Sequence, residues 1–276
     1  MTIIRKPGQQ GVKPQIDMWE PAPSEFIQRC VFMDIMGSES SGKTTLALSA
    51  PGPIALIHAN EKINGVVQPW VRKGKIIKVH RYGFVASKDP QETATRAQPV
   101  WLAARQAAED AYGWARSTVL DTGTNYWEMI RLARFGTLNP KGRNMGHLYT
   151  AVNNEFRTIL AHKYRNQERT NIITIHQTGD KWINKMVEGQ MQGFNTGVPE
   201  RKGMKEIGFM CEVGLHCWKN IEDGTYHTTI NKGWFNGAVE GMDLTDELMV
   251  QMGYSGMNFS GIMGFITQTD ELEWAV

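Results

Sequence analysis

Short, wholly apolar runs alternate with amphipathic stretches along the chain, a pattern that predicts buried strands separated by helices. Arg29 to Met36 and Ile54 to His58 are apolar runs of strand length, and Ile76 to Val79 is a third. Ser117 to Asp121 reads as a strand ending in an acid, and Asn171 to Gln177 as a buried strand with a polar tip. Lys43 to Ala50 suits a helix, stopped by Pro51-Gly52-Pro53. Pro99 stands where a first helical residue belongs, which predicts a helix over Val100 to Ala115. Two more helical segments, Tyr126 to Phe135 and Leu148 to Arg165, flank a Gly/Asn/Pro loop. The expected fold class is α/β, with a mostly parallel central sheet, helices on both faces and a C-terminal antiparallel extension.

The remaining segments lack this rhythm. Residues 1–28 hold Pro7, Gly8, Gly11, Pro14, Pro21 and Pro23, which break any period and predict an extended N-terminal arm. Residues 178–205 are rich in glycine and charge without a period, as in a long functional loop. Ile207 to Trp218 and Thr225 to Asn231 predict an antiparallel pair turning at Glu222-Asp223-Gly224. Asp243 to Met252 suits a short helix capped by Asp243, and the Met/Gly-rich tail carries little signal. The expected organisation is an arm over 1–28, a core over 29–240 and a C-terminal extension over 241–276.

Composition narrows the function only a little. The 276 residues, 41% hydrophobic and 21% charged, can bury a sizeable core. No apolar run reaches the ~18–20 residues of a membrane span, so no membrane partner is expected. Met1 to Gly8 lacks the apolar stretch of a signal peptide. Cys30, Cys211 and Cys217 are too few and odd in number for a disulfide framework, which points to a reducing cytoplasm. The net charge of +2, from 30 basic and 28 acidic residues, excludes coating duplex DNA by charge alone. A nucleic-acid site has to be a local patch.

One motif carries chemistry. Gly37-Ser38-Glu39-Ser40-Ser41-Gly42-Lys43-Thr44 fits Gly-x4-Gly-Lys-[Ser/Thr] in full, between a predicted strand and a predicted helix. Its glycines let backbone N–H groups turn inward onto phosphate oxygens, and the helix N-terminus adds partial positive charge. Lys43 is placed to reach the β- and γ-phosphates and the Thr44 hydroxyl to ligate Mg2+, with Thr45 completing the loop. ATP and Mg2+ are therefore the expected cofactors. Asp121, at its strand end, is the natural second acid for the metal, with a helix cap as its alternative and Asp34 as a weaker rival. Glu61, just past Ile54 to His58, is the best-placed carboxylate to orient water, and Asn60 stands beside it. Gln177 sits where a γ-phosphate is sensed by hydrogen bonding, whereas His176 reads as a packed or capping histidine.

Gly37 to Leu46 resembles the phosphate loop of RecA-type recombinases, including the Glu within it. With Leu48-Ser49-Ala50-Pro51-Gly52-Pro53 following, it is similar to phage-encoded RecA-core ATPases of single-strand annealing recombination. The resemblance spans about residues 29–235 and implies a RecA-like P-loop NTPase core. It implies that Lys43 and Thr44 contact nucleotide and Mg2+, that Asp121 is the second acid, and that Gln177 couples the γ-phosphate to a DNA-binding loop. The family's catalytic Glu falls at Asn60 or, shifted by one, at Glu61. The loop 178–205 then binds single-stranded DNA through Lys181, Lys185, Arg201, Lys202 and Lys205, with Trp182 and Phe194 available for base stacking. Lys232 stands where such proteins offer a cation to a neighbour's γ-phosphate, which implies a homo-oligomer, ring or filament. A single-strand annealing or single-strand binding protein is the implied partner, in the host cytoplasm if the chain is phage-encoded. Two other readings use the same loop: a nucleotide or small-molecule kinase, and a non-catalytic nucleotide-switched assembly or packaging module.

Overall fold

The computed structural model describes residues 30–59, 63–139, 146–160, 170–187 and 190–275. The expected arm over 1–28, Asn60 and Glu61 lie outside the described residues. In chain order the elements are β1 (Phe32–Gly37), α1 (Lys43–Leu48), β2 (Ile54–His58), α2 (Asn64–Arg72), β3 (Ile77–Arg81) and α3 (Pro90–Ala111). There follow β4 (Ser117–Asp121), α4 (Gly123–Phe135), α5 (Gly146–Leu160), β5 (Asn171–Val187) and β6 (Gln190–Arg201). The C-terminal part adds α6 (Ile207–Met210), β7 (Val213–Lys219), β8 (Tyr226–Gly233), β9 (Asp243–Thr245), α7 (Asp246–Gln251) and α8 (Phe259–Thr267).

The sheet order is β3-β2-β4-β5-β1-β7-β8-β9, with β6 paired to β5 off this path. Every neighbour from β3 to β7 is parallel, whereas β8 and β9 return antiparallel. The fold is thus α/β with a mostly parallel central sheet, helices around it and antiparallel C-terminal strands. Because the strand period is two, alternate residues feed two cores. Met33, Ile35, Val119, Ile173 and Ile175 meet α1, α2 and α8 on one face, with Leu46, Val67, Phe259 and Ile262 in the same cluster. Phe32, Leu120 and Ile172 meet α3, α4 and α5 on the other, with Trp101, Tyr126 and Phe156 fully buried there.

Three expectations are corrected. The third helix begins at Pro90 rather than after Pro99, because Asp89 caps it by accepting from the backbone of Gln91 and Glu92. An Asp-Pro pair supplies both the capping carboxylate and a preset φ, which outweighs the proline ring accommodated inside the helix. Asp243 opens a short edge strand instead of capping a helix, and the cap is Thr245, which accepts from the Leu248 amide. The tail with little signal forms α8, whose Phe259, Ile262, Met263 and Ile266 are buried in the same cluster as Met33 and Leu46.

The largest departure lies in residues 178–205. They are not an irregular loop: β5 runs on past Gln177 and pairs antiparallel with β6 from Thr178↔Arg201 to Val187↔Gln190. A two-stranded arm with both faces in solvent has no apolar face to create a period-two signal, so its strand character is invisible to patterning.

Candidate functional site

Parallel strands end on a common edge, and loops there converge on ligands. At this edge Gly37 of β1 stands in register with Gln177 of β5 on one side and Cys217 of β7 on the other. A Cβ on Gly37 would collide with the Cys217 carbonyl, so no other residue lets the loop leave the strand here. Gly42 adopts φ 87°, a left-handed conformation open to glycine, and hands the chain to α1 without a side-chain cap. The amides of the helix N-terminus are thereby left for an anion.

The expected loop residues converge on one cavity of about 1200 Å3, which Gly37 to Leu46 line together with His58, Asp121, Gln177, Lys202 and Tyr226. Lys43 is buried, and its ammonium folds back to donate to the Ser38 carbonyl and, at 3.3 Å, to the Ser41 hydroxyl. Burial lowers its pKa below the ordinary lysine value, offset in part by Cys217, Asp121 and Glu39. Glu39 itself is exposed on the loop.

Asp121 ends β4, two strands away from the loop, yet its Oδ2 accepts from the Thr44 hydroxyl at 2.9 Å. This is the arrangement that hydroxyl and second acid need to share a Mg2+ ion, directly or through water. The helix-cap alternative for Asp121 does not hold: Thr122 caps α4 by accepting from the Asn125 amide. His58 Nδ1 lies 3.3 Å from the same carboxylate, because β2 and β4 pair His58 with Asp121. Sequence reasoning missed His58, since strand register is not legible in a run of buried apolar residues. It also missed Tyr226, whose ring stands over Gly42 at the start of β8.

Asp34, the weaker rival for the metal, serves elsewhere. It is fully buried, accepts from the Thr174 hydroxyl at 2.8 Å, and is ion-paired by the Arg201 guanidinium, whose Nε lies 2.8 Å away. Arg201 is therefore corrected from a DNA contact to an inward clamp that ties the end of β6 to β1. His176 shares this polar island as a packed histidine. Its Nδ1 lies 3.2 Å from the Lys202 carbonyl and 3.3 Å from the Thr124 hydroxyl, while Nε2 lies 3.5 Å from Asp34. The α4 N-terminus closes over the ring, and a Cβ on Gly123 would stand 2.6 Å from Nε2.

Burial pushes the His176 pKa down to about 4, and the sign of the pH dependence follows. The unfolded chain takes up this proton near pH ~6.5, the folded chain only near 4, so stability is lost as pH falls through that window. Urea midpoints should already drop between pH ~6.5 and ~5, above the range where carboxylates titrate. A midpoint that stays level until ~5 would mean the ring titrates like an exposed histidine.

Two further residues expected to make contacts outside the chain have partners within it. Lys232 donates to the carbonyls of Gly208, Phe209 and Cys211, at 3.1, 3.1 and 2.5 Å, and stands over the Trp234 ring. These carbonyls surround the short α6, so within the single chain the ammonium caps them. Lys205 pairs with Glu200 at 3.0 Å at the root of the arm. Lys181, Trp182 and Lys185 do project on the arm. Trp182, Met186 and Met191 are 62%, 68% and 63% exposed, and Lys185 Nζ lies 5.8 Å from the Phe194 ring centre.

No family model matches the chain, and no curated protein matches it. Among solved structures it is similar to the RadB recombinase at 15% sequence identity, with 77% of this chain and 84% of that chain covered and a TM-score of 0.46. No helix among the described residues is long and apolar enough to cross a membrane.

Proposed function

We propose that the chain is a RecA-like, Mg2+-dependent ATPase that binds single-stranded DNA through the β5–β6 arm and acts in recombination of the phage type. The observation that carries this reading is the Thr44–Asp121 contact at 2.9 Å in the cavity that Lys43 and the two loop glycines line. The chain's residues fit ATP and its metal: loop amides and Lys43 for phosphates, Thr44 and Asp121 for Mg2+. When bound, Mg2+ neutralises charge developing on the transferring phosphoryl group. Glu61 is the proposed residue that orients water, and Gln177 links the cavity to the arm because it is where β5 leaves the sheet. A homo-oligomer and an annealing partner belong to the same proposal, on the resemblance of the phosphate loop.

The arm favours single strands over a duplex, since exposed Trp182 offers a stacking face and the overall charge of +2 is modest. ATP turnover measured with and without single-stranded DNA tests this reading, with stimulation expected. Trp182→Ala should cost DNA binding on the order of 1–3 kcal/mol with little change in salt dependence. Replacing Lys181 and Lys185 by alanine should instead flatten the slope of log affinity against log salt by ~0.7 per lost phosphate contact. Unaltered DNA affinity in both variants would make the arm a protein-contact element.

A further inference from the structure

Lys202 follows the last residue of β6 and lines the nucleotide cavity rather than the distal arm. Its backbone is held from two sides. The amide donates to the Gln177 carbonyl at 2.8 Å, and the carbonyl accepts from the Thr124 hydroxyl at 3.0 Å. Its methylenes run along Gly179, where a Cβ would stand 2.8 Å from Lys202 Cε and displace that side chain. Close by in sequence, Arg201 is committed to buried Asp34 and exposed Lys205 pairs with Glu200 at the surface, whereas among the described residues no carboxylate forms an ion pair with Lys202. The acid that feels its charge is half-buried Glu128 on α4, whose pKa burial raises and Arg131 and Lys202 pull down.

We propose that Lys202 is a ligand of the terminal phosphate of a nucleoside triphosphate, and not a DNA contact. The inference rests on the nucleotide-site reading above. Lys43 reaches the β-phosphate that di- and triphosphates share as well as the γ-phosphate, and Thr44 serves the metal, so neither is specific to the triphosphate. A second lysine on a different element, lining the cavity and bonded to Gln177 through its backbone amide, would add a contact that only the longer anion meets. Because the Lys202 amide and carbonyl bind Gln177 and Thr124, drawing its side chain into the cavity bears on the point where both arm strands leave the sheet. The terminal phosphate is thereby reported to the arm.

The test is calorimetric affinity, with Mg2+, for the β,γ-imido analogue of ATP and for ADP, on wild type, Lys202→Ala, Lys202→Arg and Lys43→Ala. Lys202→Ala should weaken the triphosphate analogue about tenfold to a hundredfold, the range of a hydrogen bond to a charged group, and leave ADP within about twofold. Lys202→Arg should recover most of the loss, which a purely structural role would not predict. Equal loss for both nucleotides, or no loss for the analogue, overturns the proposal. If Lys43→Ala loses both nucleotides while Lys202→Ala loses neither, the site reading stands and only this inference falls. A wild-type chain that bound neither nucleotide would overturn both.

Discussion

Lys43→Ala is expected to lower ATP turnover about a hundredfold to a thousandfold while the chain stays folded. On the proposed function the buried Lys43 ammonium, which lines the cavity with the loop, would meet the phosphates where negative charge accumulates during transfer. Losing one such preorganised group typically costs ~10²–10³ in rate. The fold should not suffer, because the ammonium's partners in the structure are the Ser38 carbonyl and the Ser41 hydroxyl of its own loop. Burial also disfavours its charged form, so removing it relieves a desolvation cost. Turnover and thermal midpoint measured on one preparation separate the two effects. Unchanged turnover would remove this cavity as the nucleotide site.

Arg201→Ala is expected to destabilise the chain by about 3–5 kcal/mol, read as a shift of the urea midpoint at constant slope. The reason is Asp34, fully buried in the centre of β1 between β5 and β7. With Arg201 gone, its carboxylate keeps the Thr174 hydroxyl and the buried His176 ring but loses its guanidinium partner. Adding Asp34→Asn to Arg201→Ala should recover part of the loss, since the uncompensated charge is removed with its partner. Preserved stability with weakened DNA binding would instead return Arg201 to the surface role that the basic run Arg201-Lys202 suggests. The same pair holds the arm's returning strand to the sheet, so its rupture should also loosen the root at Gln177 and Lys202.

Much of this protein was readable without coordinates, wherever local chemistry leaves few options. The phosphate loop is legible because its glycines answer backbone demands that Gly37 and Gly42 meet: a carbonyl pressed against one α-carbon and a left-handed φ at the other. Ile54–His58 is legible because burial on both faces favours an apolar run, and Ser117–Asp121 because Val119 and Leu120 close on an acid. Asp121 was found because a lone acid closing such a run has little to do but face the sheet edge.

What only the tertiary structure decided is the pairing of residues far apart in the chain. Strand order β4-β5-β1 sets Thr44 against Asp121, and strand register alone brings His58 to the same carboxylate. The basic residues at the arm's root looked alike in sequence, yet Arg201 turns inward, Lys202 lines the cavity and Lys205 pairs with Glu200. Lysine and arginine carry no sequence mark of direction, because a long flexible side chain takes whichever partner the fold presents. Lys232 shows the same limit, spending its charge on three carbonyls that only the neighbouring turn of α6 exposes. Local sequence thus determined the loop and the strands that flank it, because backbone conformation and burial are short-range demands. The roles of the charged side chains were decided by the sheet, because electrostatic partners are supplied by whichever strands the topology makes neighbours.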